Sequence, residues 1–145
     1  MFLTLEPIYA GFAFLCRDYM RRVAIRFGGG SEVVVSLRED ASESVRHLLS
    51  SVPFKSVANT WGDEVYFEVP FHADLEIGAR EEMEIGDVAF WPDGDAMAIF
   101  FGRTPASTGP RPRAYSPCNP LGRVEGDLSL LRGVKPGTSL RVLAL

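Results

Sequence analysis

The stretch Gly86–Pro105, GDVAFWPDGDAMAIFFGRTP, decides the fold. Two apolar runs, Asp87–Trp91 and Ala96–Phe101, flank the tetrapeptide Pro92-Asp93-Gly94-Asp95. Proline presets φ at the start of a turn, and glycine accepts the positive φ where the chain reverses. The stretch reads as a β-hairpin that brings Phe90, Trp91, Phe100 and Phe101 close to one tight turn. Successive strand side chains alternate faces, so Phe100 and Phe101 point opposite ways. One enters the core; the other is left to line a groove or pack beneath a loop.

Upstream of the hairpin, Val23–Phe27 and Glu32–Leu37 read as strands joined by Gly28-Gly29-Gly30-Ser31. Asp40 or Ser42 caps a helix, Ser44–Ser51, whose Val45, Leu48 and Leu49 form one apolar stripe. Pro53 ends it. Phe54–Trp61 is extended, and Asn59–Asp63 carries turn chemistry. Glu64–Val69, EVYFEV, sets Val65, Phe67 and Val69 against Glu64, Tyr66 and Glu68, the pattern of a half-buried antiparallel strand with a polar outer face. Phe71–Ile85 is acidic and reads as a solvated loop or edge.

Downstream, Thr104–Pro120 holds Pro105, Pro110, Pro112, Pro117 and Pro120 and reads as a long surface connection, because proline excludes helix and central strand. A short strand, Leu121–Val124, follows. Asp127 caps a short helix through Arg132, and Thr138–Leu145 is a closing strand. Many short strands, two short helices and Gly/Pro turns predict a mainly β protein, a closed β-barrel with two short helices.

At 145 residues, 46% hydrophobic and 23% charged, the chain suits one soluble domain with a single core. A net charge of −4 argues against a general nucleic-acid binder. Cys16 and Cys118 make no metal or CxxC spacing and read as reduced thiols of a cytoplasmic protein. No run approaches the ~20 apolar residues of a membrane span. Pro7–Cys16 is apolar but lacks the basic flank and cleavage pattern of a signal peptide. Residues 1–19 are set apart as an N-terminal extension, apolar and aromatic, ahead of a domain at 20–145 that opens on Met20, a second candidate start. If translated, the extension is expected to be ordered, covering an apolar patch or joining two copies of the chain.

Three segments, in order, resemble the cyclophilin-like fold, in its small prokaryotic branch: the strand–strand–helix opening Val23–Leu49, the paired phenylalanines of AIFF at Ala98–Phe101, and NPLGRVEGDLSLLRGVKPG at Asn119–Gly137. VANTWGDEVYFEVP, Val57–Pro70, is similar to the small branch rather than the large one. The resemblance implies a barrel with an apolar proline pocket to which Phe100 and Phe101 contribute. The large branch isomerises X-Pro bonds with an arginine donor carried in a Phe-His-Arg signature. Here Ala58-Asn59-Thr60-Trp61 stands in its place, and Ala98-Ile99 replaces the polar residue before the paired phenylalanines.

Other chemistry is thin. GDVAFWPDG is similar to the second cupin motif, but the metal-binding histidine position holds Met97, and His72-Ala73-Asp74 is the nearest approach to a His-x-His pair. No metal and no cofactor are expected. Asp63 and Glu64 face opposite ways on a strand and read as turn and surface residues. Trp61 and Trp91 each sit at a strand–turn junction, where an indole suits a pocket or interface. The expected ligand groove therefore comprises Asn59, Thr60, Trp61, Tyr66, Trp91, Phe100, Phe101, Asn119 and Arg123. The first reading is a non-catalytic module for a small molecule or a proline-containing peptide. The second is a weak isomerase using Asn59, Thr60 or Arg123 as replacement donor. The third is a cupin-like barrel enzyme.

Overall fold

The computed structural model describes residues 21–145. The expected extension, its proposed interface role, Cys16 and Met20 lie outside the described residues. The chain runs β1 (Arg22–Phe27), β2 (Glu32–Leu37), α1 (Glu43–Ser51), β3 (Phe54–Val57), β4 (Asn59–Thr60), β5 (Glu64–Glu68), β6 (Arg80–Glu82), β7 (Asp87–Trp91), β8 (Ala96–Phe100), β9 (Arg113–Glu125) and β10 (Ser139–Ala144). Every ladder is antiparallel, in the order β3-β10-β1-β2-β9-β7-β8-β5-β4, with β6 paired on β9.

Alternation builds the main core. Val23, Ile25 and Phe27 of β1 meet Val33, Val35 and Leu37 of β2, and Val65 and Phe67 of β5 meet Ile99 and Met97 of β8. The α1 stripe adds Val45 and Leu48. Ser42 caps α1, its Oγ accepting from Val45 N at 3.2 Å. Beyond the helix cap, Glu76 accepts from Ser44 N at 2.9 Å and from Ser42 Oγ at 3.0 Å.

Three expectations are corrected. The described residues are mainly β, but the sheet is not closed: its path ends at β3 and β4, and a side-chain bond, Ser56 Oγ donating to Glu68 O at 2.7 Å, links β3 to β5. The backbone that leaves β3 is already engaged, since Ala58 N donates to Thr138 O and Ala58 O accepts from Gly137 N, both at 2.8 Å. The described residues hold one α-helix. The expected second helix is a short 3₁₀ segment, Ser129–Gly133, too short to propagate an α-helix before Gly133 and Pro136. Finally, Arg113–Glu125 is one long strand despite Pro117 and Pro120. The β7–β9 register shifts between Val88 and Ala89, just where Pro120 faces Ala89, and such an irregularity tolerates the missing N–H.

The hairpin of β7 and β8 turns through a 3₁₀ segment, Pro92–Gly94. Its left-handed residue is Asp95, φ 48°, not Gly94. Gly94 serves another purpose: a Cβ there would overlap the Trp91 ring. The glycine lets the indole lie against its own turn.

Among the described residues no helix is long and apolar enough to cross a membrane.

Candidate functional site

Strand β8, AMAIF, is buried on both faces. Its core face carries Met97 and Ile99. Its outer face carries Ala98 and Phe100, opposite Tyr66 and Glu64 of β5, with Ala89 of β7 opposite Ala98. This outer face needs a cover, which the first half of β9 and the segment around Met83 supply. Met83, Ala89, Ala98, Phe100, Ala114 and Cys118 form a second small core, with Tyr66 and Trp91 packed at its border.

At that border the cover stops short and leaves a pocket of about 180 Å³. It is lined by Trp61, Glu64, Tyr66, Trp91, Ala114, Tyr115 and Cys118, mostly through apolar surface. Tyr115 is 74% exposed and stands edge-on between the two indoles, its ring centre 6.1 Å from Trp61 and 6.2 Å from Trp91. Trp61 is held by the tight turn into β5, its backbone N–H donating to Glu64 O at 2.9 Å. Trp91 is fixed at its polar end: Nε1 donates to Ser116 Oγ at 2.6 Å, and Ser116 Oγ donates to Asp93 at 2.8 Å. Trp91 thus lines the pocket while its indole N–H is satisfied.

Glu64 is the unusual member. It is 8% exposed, and its Oε1 has no hydrogen-bond partner among the described residues. Burial pushes its carboxyl up to about 8, so it is largely protonated at neutral pH. No basic side chain lines the pocket among the described residues. Cys118 is also buried, and burial, followed by the Glu64, Asp93 and Glu81 carboxylates, pushes its thiol up to about 12. A thiol held protonated in this way is a wall, not a nucleophile.

The expected groove residues divide. Trp61, Tyr66 and Trp91 meet in the pocket. Phe100 is fully buried beneath it, in the second core, and does not line it. Phe101 lies in the main core under the Arg132 guanidinium, 5.3 Å from the ring centre. Both faces of the strand are covered, so neither phenylalanine is left for a groove. Asn59 is exposed at the edge strand, by a shallow groove with Lys55 and Pro70, and Thr60 is half-buried opposite Val65. Asn119 is fully buried and serves as a clamp: Nδ2 donates to Ser44 Oγ and Asp74 O, each at 2.9 Å, and Oδ1 accepts from Glu76 N at 2.8 Å. Arg123 is engaged at both ends, with Asp87 at 2.5 Å and Ile85 O at 2.8 Å. These bonds fix its guanidinium, and it does not line the pocket.

The sequence reading missed Glu64, Tyr115 and Cys118, and it assigned Glu64 to the surface. One signal was available: a strand apolar on both faces requires its neighbour's polar-looking face to be covered too.

His72 is exposed between Asp95 at 2.5 Å and Asp74 at 3.2 Å, and those two hydrogen bonds raise its pKa. Among the described residues no group of three or more His, Cys, Asp or Glu is placed to hold a metal. Met97, at the cupin histidine position, is fully buried in the main core.

The comparisons agree with this architecture. A family model described as cyclophilin-like matches residues 21–143. The solution structure of a hypothetical protein from Archaeoglobus fulgidus is similar at 38% identity, with a TM-score of 0.75, over 87% of this chain and 95% of that one. No curated protein matches. With the family model spanning nearly all the described residues, the chain belongs to the cyclophilin-like family.

Proposed function

We propose that this cyclophilin-like domain is a binding module, and that its ligand, a small molecule or one side chain of a peptide, enters the pocket between Trp61, Trp91 and Tyr115. One observation carries the reading: two indoles and a phenol flank an open apolar pocket with a buried, unpartnered carboxyl in its wall. Most small-molecule sites are apolar concavities with a few placed polar groups. Aromatic faces supply large contact area at low entropic cost. The groups that would support catalysis are spent elsewhere. Arg123 is held by Asp87 and Ile85, and Cys118 is a protonated wall.

The experiment is a titration with neutral apolar fragments and short proline amides, read by the indole N–H resonances of Trp61 and Trp91. Both resonances move together on binding, and Trp91→Ala weakens the ligand at least tenfold. A ligand that moves neither indole, or one unaffected by Trp91→Ala, places binding elsewhere and overturns the reading.

A further inference from the structure

An apolar pocket has no use for a carboxyl group that hydrogen-bonds to nothing, since a buried polar group without a partner is costly. Glu64 is more than nine-tenths buried, its Oε1 is unpartnered among the described residues, and it lines the same pocket as four aromatic rings. The carboxylates nearby already have partners. Asp93 lies beyond Ser116, Glu81 is paired with Arg113 at 2.7 Å, and Asp63 on the same turn is paired with Arg132 at 3.3 Å. The other titratable side chains of the wall are Tyr66, Tyr115 and Cys118.

We propose that the pocket takes a small alkylammonium group, with Glu64 as its counter-charge and the faces of Trp61, Trp91 and Tyr115 around its methyl or methylene surface. The inference rests on the pocket being a ligand site. Three features select this class. Indole and phenol faces attract cations, most strongly when the cation is desolvated. A single carboxyl in an apolar wall offers too few ligands to strip water from a metal ion, whereas an alkylammonium group already carries apolar surface. Among the described residues an anionic ligand would meet no basic side chain in the pocket wall and no counter-charge.

A cation draws Glu64 into its ionised form. Held near 8 in the empty site, the carboxyl gives up close to one proton per ligand bound at pH 7. Affinity for a permanent cation therefore rises with pH, by about tenfold per unit below pH ~8, and levels off above it.

The probes are choline and its neutral carbon isostere, 3,3-dimethyl-1-butanol, titrated at constant ionic strength by calorimetry and by the two indole resonances. We expect choline to bind at least tenfold more tightly than the isostere at pH 8.5. At pH 7, heats measured in buffers of different ionisation enthalpy reveal proton release. Glu64→Gln removes both the preference and the proton release while the neutral isostere still binds. If the isostere binds equally well and moves both indoles, the ammonium inference falls and the pocket reading stands. If choline keeps its preference in Glu64→Gln, or binds without proton release, the role of Glu64 is overturned. If neither probe moves the indoles, the ammonium inference falls as well, and the pocket reading then rests on the neutral fragment titration alone.

Discussion

Glu64 and Phe100 stand directly opposite each other in the β5–β8 ladder. Opposed residues of an antiparallel pair point to the same face with Cβ atoms about 5 Å apart. A carboxyl is thereby set beside a fully buried phenyl ring, under a cover formed by the first half of β9. Desolvation follows from the register, with no charged neighbour needed to explain it. Phe100 thus contributes to the site from below, through the environment it makes for Glu64.

This pair makes stability depend on pH. The folded chain keeps a proton on Glu64 up to about pH 8, whereas the unfolded chain releases it in the ordinary carboxylate range. Between those points the folded state binds more protons, so the Glu64 contribution to stability falls as pH rises and flattens above pH 8; Cys118, also raised, adds its own loss only in more alkaline solution. At ~1.4 kcal/mol per unit the loss has a ceiling of about 5 kcal/mol. His72, with its raised pKa, acts in the same direction above its ordinary range. Asp40 and Asp127 are lowered and act only in acid. Glu64→Gln is expected to be more stable than the parent at pH 8 and to lose most of the decline between pH 5 and 8, leaving the His72 part. Urea unfolding at several pH values checks this; parallel parent and variant curves would contradict it.

The same two residues explain what sequence could and could not reveal. The hairpin was readable because Pro92 and Gly94 break two apolar runs, and β7 and β8 fall within a residue of those runs. Helix α1 was readable from its cap and stripe. Trp61 and Trp91 stood out as indoles at strand–turn junctions, and both line one pocket, which Tyr66 joins from the middle of β5. Glu64 was hidden because alternation assigns a glutamate opposite Val65 to solvent. Its cover comes from Ala114–Cys118, about fifty residues away, in a segment whose prolines read as a loop. The places of Asn119 and Arg123, away from the pocket, were hidden for a related reason: a polar side chain looks alike in sequence whether it faces a ligand or satisfies buried partners.

Asn119 is a clamp, and its replacement tests that assignment. Asn119→Ala leaves Ser44 Oγ, Asp74 O and Glu76 N without their shared partner in a buried setting. Each unsatisfied buried group costs about 1–3 kcal/mol. We expect a loss of roughly 3 kcal/mol, moderated by local rearrangement, with ligand-induced shifts at Trp61 and Trp91 preserved. Denaturant unfolding gives the first quantity and indole spectra the second. A ligand defect without destabilisation would return Asn119 to the site.

Ser116 positions Trp91 through the chain from Nε1 to Ser116 Oγ to Asp93. Ser116→Ala leaves the indole N–H without its acceptor at a half-buried position. The expected cost is about 1 kcal/mol. The Trp91 indole N–H resonance should shift and exchange faster with solvent, while that of Trp61 stays unchanged. Unchanged exchange at Trp91 would mean that the hydroxyl does not hold the ring.

The last prediction concerns catalysis of X-Pro rotation. The uncatalysed barrier is ~18–20 kcal/mol, set by the partial double bond of the amide. Lowering it requires an apolar seat for the ring and a donor aimed at the twisting amide. The pocket beside Trp91 can supply the seat. No arginine lines it among the described residues, and Arg123, the candidate replacement, has its guanidinium held by Asp87 and Ile85. Loss of one positioned transition-state donor typically costs ~100- to 1000-fold in rate. Exchange NMR on a short X-Pro peptide is therefore expected to show little acceleration by the protein. Arg123→Ala should leave that result unchanged while lowering stability, because it strips a charged partner from the buried carboxylate of Asp87. Strong acceleration that disappears in Arg123→Ala would require the arginine to leave Asp87 on binding substrate, and would make the protein an isomerase.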